Sequence, residues 1–348
     1  MRPCGTFDER YSQDMAILRI KRHWGLLIGA LILLYTFPLF GSYYFISLIN
    51  HLSITIIIVL GLQLVSGYCG QISFGQAAFM AVGAYTSAIL TGKVGLSFFL
   101  ALPISGIVAG LIGLGGGAPS LRIKGFYLAM ATIAIHFVVM WLIPHLDITG
   151  KTQGLHPPAP QIGGFAFDSD EKIYYIIITV MLLMTYGARN IVRTRVGRAF
   201  VAIRDNDLAA EVMGIELYRY KLLAFFLSCF YAGIAGSLWA HWIQVVHPEQ
   251  FTLLHALNYI GMLIVGGGGS IPGVFFGVIF LRLLDEGVMF AAPLLASIFP
   301  WIGIHPAASM SVSVFGIVLI IFLIYEPRGL AHRWEIFKAS YRLYPFSH

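Results

Sequence analysis

The distribution of charge constrains this chain more than any other feature. Between Trp24 and Leu121 the only charged side chain is Lys93, and between Leu222 and Tyr325 there are only Glu249, Arg282, Asp285 and Glu286. One membrane-spanning helix needs roughly 20 apolar residues, so each stretch is long enough for several spans. Charged residues make up 11% of the 348, against roughly 25% in a soluble domain. A water-soluble globule of this length could not cover its surface with so few charges, and an all-α, polytopic membrane protein is predicted.

Apolar runs fall at about 24–40, 43–66, 74–91, 96–117, 121–143, 172–188, 221–243, 252–266, 270–290 and 308–326. They predict about ten transmembrane helices. Glycine punctuates the runs at 67–70, 113–117 and 266–269, and Pro103, Pro272 and Pro293 mark expected breaks or kinks. Lys and Arg decide the orientation. Residues 1–23 carry five, 189–221 carry seven and the tail after Tyr325 carries four, whereas the segment 144–172 has Lys151 and Lys172 against Asp147, Asp168, Asp170 and Glu171. Ten spans with N- and C-termini cytoplasmic put every basic segment inside, including the Arg122/Lys124 turn. The expected organisation is a cytoplasmic segment 1–23, a permease domain 24–326 with an external loop 144–171 and a cytoplasmic loop 189–220, and a cytoplasmic tail 327–348. The first span reads as a retained anchor, because no small-residue cleavage site follows its basic flank.

Other classes fit poorly. A formal net charge of +6 would suggest nucleic acid in a soluble protein, but here the positive charge sits beside apolar runs, where topology explains it. Cys4, Cys69 and Cys229 form neither a disulfide framework nor a metal cluster. His136, His241, His247 and His255 lack metal-ligand spacing, and no nucleophile and base constellation marks an enzyme. Thr149-Gly150-Lys151-Thr152 has the end of a P-loop, yet His145 replaces its first glycine and the topology puts it outside. An ion-coupled transporter would need buried carboxylates or histidines at mid-span. Arg282, Asp285 and Glu286 read as groups near a span end, with Arg282 and Glu286 four apart on one face. The two halves of the chain show no matching glycine-rich turns, so no internal repeat is assigned.

Three segments carry candidate chemistry. In 67–89, Gly67, Gly70, Gly75 and Gly83 allow close backbone approach, while Gln71, Ser73, Gln76 and Tyr85 place polar groups in or beside a span. They either line a translocation pathway or pack helices. In 189–225 the pattern from Arg198 to Met213 predicts one short amphipathic helix closed by Gly214, with Phe200, Ile203 and Leu208 apolar and Arg204, Asp205, Asp207 and Glu211 charged. It either lies on anionic lipid or docks a cytoplasmic partner. Four acidic residues among 189–221 favour docking. The third segment, IVGGGGSIPG at 264–273, reads as a tight turn, since Ser270-Ile271-Pro272 follows where a P-loop needs Lys-Ser/Thr.

Together these segments resemble the inner-membrane permease subunits of the high-affinity branched-chain amino-acid ABC importers, specifically the LivM-like member of the LivH/LivM pair. GYCGQISFGQAAFMAVGAY (67–85), RIKGFYLAMATIAI (122–135), TGKTQGL (149–155), VGRAFVAIRDNDLAAEVMGIELYRYKLLAF (196–225) and VGGGGSIPGVFFG (265–277) carry the resemblance in the family's order. It implies a multi-pass protein of the bacterial inner membrane, paired with a LivH-like sister permease, two cytoplasmic ATP-binding subunits and a periplasmic solute-binding protein. Membrane lipid surrounds it, nucleic acid has no part, and ATP is used by the partner subunits, with no cofactor held here. The family's ATPase-facing loop resembles E-A-A-x-x-x-G. Ala209, Ala210 and Gly214 fit it, Leu208 stands at the glutamate position, and Arg198, Arg204, Asp207 and Glu211 complete the expected docking set, the alanines small because they meet the partner. Where the family shows TGG-x-x-GL, this chain has Lys151 for the second glycine. Branched-chain amino acids are the implied solute; urea, short amides or another amino acid are the alternatives, since related importers share these motifs.

Overall fold

The computed structural model describes residues 21–120, 126–162, 164–298 and 306–343. The Arg122/Lys124 turn and the N-terminal residues 1–20 lie outside them. The described chain is helical apart from turns and one two-residue hairpin, β1 (Gln161–Ile162) with β2 (Phe165–Ala166). The helices are α1 (Lys21–Thr36), α2 (Tyr43–Leu62), α3 (Gln76–Gly92), α4 (Phe98–Ser120), α5 (Phe126–His145), α6 (Asp170–Arg193), α7 (Arg195–Asp205), α8 (Asp207–Val212), α9 (Leu217–Ile243), α10 (Leu253–Gly266), α11 (Ile271–Ile298), α12 (Pro306–Tyr325) and α13 (Gly329–Leu343). Every apolar run of the sequence coincides with one of them.

Among the described residues, five helices are long and apolar enough to cross a membrane: α2 with its extension to Tyr68, α4, α5, α6 and α9. The number rises to seven if two bent pairs each count as one span, α10 with α11 at 119° and α12 with α13 at 48°. The protein is thus a multi-pass helical membrane protein. Ten crossings additionally require the short helices α1, α3 and α10, of 16, 17 and 14 residues, to reach through an apolar layer about 30 Å thick.

At the centre, α9 packs against α3 and α4 through small residues. A Cβ at Gly83 of α3 would collide with the Gly233 backbone of α9, and one at Gly236 with Met80 O of α3. A Cβ at Gly233 would lie 2.6 Å from Ala109 Cβ and 2.9 Å from Gly106 Cα of α4. On the other side of α9, a Cβ at Gly61 of α2 would lie 2.6 Å from Tyr231 Cβ. Hydrocarbon gives apolar side chains no reason to leave it, so such backbone proximity is what joins these helices.

The structure corrects three sequence expectations. The glycines at 113–117 lie inside α4 and break nothing; Gly113 accommodates Cys229 and Gly117 accommodates the Phe225 ring of α9. Pro103 and Pro293 also lie within continuous helices, so neither breaks its run. The amphipathic stretch 198–213 is two helices, since Asn206 leaves the helical region (φ −160°, ψ 105°) and its side chain accepts a 3.1 Å hydrogen bond from Ala209 N. Asn is a strong N-cap, and here it starts a second helix.

The loop between α5 and α6 is tied to the end of α9 by a two-way backbone bridge, Leu155 N to Val246 O at 3.1 Å and Val246 N to Leu155 O at 2.9 Å. The Lys172 ammonium, 2.7 Å from Asp168 at the exposed end of this loop, holds that carboxyl below its usual range. Gly150 and Lys151 both have positive φ, 77° and 55°. A left-handed backbone costs a non-glycine residue roughly 1–2 kcal/mol, which accounts for glycine in the corresponding family position. Lys151 pairs with Asp147 at 2.8 Å, but both side chains are well exposed and the pair contributes little. Lys151→Gly is therefore expected to stabilise the protein by about 0.5–1 kcal/mol, seen as a higher midpoint in thermal unfolding of the detergent-solubilised chain. An unchanged or lower midpoint would show that the left-handed turn carries no strain.

Candidate functional site

The residues singled out from sequence separate into two places. Gly67, Gly70 and Gln71 gather at one end of the bundle, where α2 ends in a π-helical turn, Gln63–Tyr68. Arg204, the penultimate residue of α7, inserts there and donates from Nη1 to Gly67 O at 2.9 Å. Gly70 has φ +74°, and a Cβ on it would lie 2.9 Å from Arg204 Cγ. A Cβ on Gly67 would lie 2.8 Å from Gly269 N, and one on Gly269 2.7 Å from Arg204 Nη1. Both glycine-rich turns are therefore cut to fit one arginine and each other. Gln63 closes the contact by donating from Nε2 to Ser270 O at 3.0 Å and Gly267 O at 3.3 Å. The tail joins as well, since Gly329, at the start of α13, packs against the backbone of Gly267.

Gly75, Gln76 and Gly83 lie elsewhere, along the α3 seam. Gln76 Nε2 donates to Ser228 Oγ of α9 at 2.7 Å, Gly75 lies beneath the Phe79 ring, and Gly83 meets Gly233. This geometry is that of helix packing. Between the two places, Gln71 and Ser73 are buried at 5% and 2% exposure. Both polar atoms of the Gln71 side chain, Ser73 Oγ and Gln76 Oε1 make no hydrogen bond. Buried polar groups normally find partners, so these atoms are the strongest local candidates for contact with water or solute.

Arg204 also walls a cavity of about 380 Å³ between the 69–72 turn and the α7–α8 junction, with Asn206, Asp207 and Lys221. Lys221 Nζ is 3.9 Å from Asp207 Oδ2. Beyond it, α8 presents an apolar face: Leu208, Val212 and Met213 are 66%, 88% and 82% exposed. Of the expected docking residues, Ala209, Glu211, Gly214 and Arg198 are exposed on this side. Ala210 is not. It is 4% exposed and faces its own chain, because its position on the six-residue α8 turns it toward the bundle. Gly214 has φ +83° with open space at its Cβ, and Gly214 N bonds Glu211 O at 2.9 Å, so it ends α8 as a left-handed cap. Sequence reasoning missed Val212 and Met213; two consecutive apolar residues at the end of a short polar helix were the available signal.

Arg282 lies within its helix, away from either helix end. It is the twelfth residue of the 28-residue α11, roughly 17 Å along it. Its Nη2 pairs with Glu286 Oε1 at 3.1 Å, and Glu286 Oε2 accepts from Tyr44 OH at 2.7 Å. With Asp285, His51, Thr55 and Asn258, Arg282 lines a cavity of about 140 Å³ between α2, α3, α9, α10 and α11. His51 and Asn258 carried no sequence signal, because the cavity is assembled from residues far apart in the chain.

Residues 44–323 match the family model described as branched-chain amino acid transport system / permease component. The chain is 29% identical over 329 residues to the high-affinity branched-chain amino acid transport system permease protein LivM of Escherichia coli, covering 87% of this chain and 74% of that protein. It is 23% identical over 338 residues to the probable branched-chain amino acid transport permease protein LivM of Methanocaldococcus jannaschii, covering 84% and 90%. The probable LivH permease of the same organism is 26% identical over 239 residues, covering 65% and 74%. No solved structure matches.

If Arg204 is what joins the two turns, Arg204→Ala will loosen both of them. Amide hydrogen exchange should accelerate at least tenfold in 66–71 and 266–270 while the α3–α9 seam keeps its protection. Unchanged protection in both turns would show that the glycine backbones hold each other without the arginine.

Proposed function

The chain belongs to the family of branched-chain amino acid transport system permease components, and from that membership we propose that it is one transmembrane half of an ABC importer for branched-chain amino acids. Its partners in this reading are a LivH-like sister permease, two cytoplasmic ATP-binding subunits and a periplasmic solute-binding protein. The observation that carries the ATPase contact is the exposed apolar face of Leu208, Val212 and Met213 on α8. A free helix in water would not keep three such residues bare, and a helix seated in a partner's cleft would cover them.

In this mechanism the partner subunits bind and hydrolyse ATP, and the movement enters the chain at α8. Asn206 joins α8 to α7, and Arg204 at the end of α7 grips Gly67 and lies against Gly269. A displacement of α8 therefore reaches the ends of α2, α10 and α11 directly. Gly67, Gly70, Gln71 and Ser73 border the cytoplasmic end of the pathway, whereas Gly75, Gln76 and Gly83 act as packing residues behind it.

We assign the end bearing Arg204 to the cytoplasm of a bacterial inner membrane, with ten crossings and both termini on that side. Support comes from the coincidence of two independent features. The Arg-rich segment 189–221 and the basic tail meet the Gly67 and Gly267 turns at one end. At the other end the acidic loop joins the ends of α2, α3 and α9, through Asn50 Nδ2 to Asp170 O, Lys93 Nζ to Ile148 O and Trp242 Nε1 to Asp170 Oδ1. Positive residues prefer the cytoplasmic side.

Two experiments test this reading. Tags inserted near 157–160 should react with a membrane-impermeant reagent from outside intact cells, and tags near 212–214 only after permeabilisation; both on one side would remove the ten-span arrangement. The double variant Val212→Asp, Met213→Asp should cut co-purification of the ATP-binding subunit and leucine uptake at least tenfold while membrane insertion stays normal. Full recovery of the subunit with full uptake would sink the docking assignment, and Ala210→Trp is no substitute because it disturbs the chain's own packing.

A further inference from the structure

The cavity between α2, α3, α9, α10 and α11 carries a charge that its surroundings do not neutralise. Arg282 contributes one positive charge, Asp285 and Glu286 one negative charge each, and the ion pair of Arg282 goes to Glu286. Asp285 accepts one hydrogen bond, from Ser311 Oγ at 2.8 Å, and has no cationic partner among the described residues. Arg282 in turn has a buried Nε that makes no hydrogen bond. An uncompensated carboxylate and an unused guanidinium donor, both walled by packed helices, are costly unless something visits them.

The rest of the wall changes along the helices. Toward the Gly67 junction Ile58 follows Thr55 on α2 and Met262 follows Asn258 on α10, each by three or four residues, and Met80 joins them from the start of α3. The cavity therefore carries Arg282 and Asp285 on one part of its wall and Ile58, Met80 and Met262 on another, with the Tyr259 hydroxyl on Met80 Sδ at 3.6 Å. Its volume of about 140 Å³ is close to that of an apolar cavity of about 150 Å³ that holds benzene, enough for a branched alkyl group of four carbons.

We propose that this cavity is a binding subsite for a zwitterionic α-amino acid with a branched aliphatic side chain. Asp285 takes the ammonium group, Arg282 Nε donates to the carboxylate, and the alkyl group rests on Ile58, Met80 and Met262. The proposal rests on the importer reading and adds to it a solute site built wholly within one permease chain. A simple amine would leave the arginine unused and a simple carboxylate would leave Asp285 unpaired, so the complete zwitterion is the ligand that satisfies both.

The test uses the full chain, purified with the subunits that accompany it and placed in lipid nanodiscs, and three probes of the same carbon skeleton: leucine, 3-methylbutylamine and 4-methylpentanoate. Leucine should bind at least tenfold more tightly than either analogue. Asp285→Asn keeps an oxygen for Ser311 and removes only the charge; it should weaken leucine and the amine at least tenfold while leaving 4-methylpentanoate unchanged. Met262→Phe should weaken leucine relative to alanine by narrowing the aliphatic part. Equal affinity for the three probes, no leucine binding, or an Asp285→Asn effect that is the same on all three would overturn the subsite. The importer reading is judged separately: loss of both leucine uptake and ATP-binding-subunit recovery in the Val212→Asp, Met213→Asp variant, with normal membrane insertion, upholds it whatever the cavity does.

Discussion

In a hydrocarbon solvent apolar side chains gain nothing by meeting one another, so this bundle is held by how closely its backbones approach. The contact on which the rest depends is α9 against α3 and α4, where Gly83, Gly233, Gly236 and Gly106 leave no room for a Cβ. Dispersion between atoms in contact falls steeply with a gap of even 1 Å, so glycine at these positions gives attraction that a larger residue would replace with collision. Once α9 is seated, its other face meets Gly61 of α2. Ser228 on α9 is thereby brought to Gln76, and the chain beyond its far end to Leu155.

That central contact fixes the two ends of the helices, and each end then solves a different problem. At the Arg204 end the carbonyls of two turns need donors: Arg204 supplies Gly67 O at the end of α2, and Gln63 supplies Gly267 O and Ser270 O between α10 and α11. A helix end inside a membrane protein has little water to rely on, so satisfying it with side chains from other segments makes those segments one mechanical unit. At the other end the backbone bridge between Leu155 and Val246 does the same for the loop between α5 and α6.

The helices were legible in the sequence because membrane spans are marked by what they lack, and the charge-free stretches reported them without any help from periodicity. Glycine and proline misled at 113–117, Pro103 and Pro293, because membrane helices tolerate breaker residues that would end a helix in water. Asn206 did carry a readable signal, an Asn-Asp pair ahead of apolar residues, but the helix formers on both sides outweighed it. The site was legible only in pieces. Gly67, Gly70 and Arg204 were each singled out, yet their meeting is a contact across 137 positions. The charged cavity was hidden for the same reason, and the spacing of Arg282 and Glu286 gave the local pair while leaving Asp285 without a role.

The two places where this chain departs from ordinary membrane packing lie on the same helices. α2, α10 and α11 line the charged cavity and end, or begin, at the Arg204 junction. Packed cores and tight backbone contacts are not continuously deformable. Part of any shift of Arg204 therefore falls on the glycine backbones that lie against its guanidinium, although the side chain also borders a cavity of about 380 Å³. What reaches those turns passes to the three helices that end or begin there. Those helices hold Arg282 and Asp285 on α11 opposite His51 and Asn258 on α2 and α10, so tilting them changes the width of the cavity and the distance between its charges. The glycine turns filled by Arg204 thus link α7, and α8 beyond it, to the helices that wall the cavity.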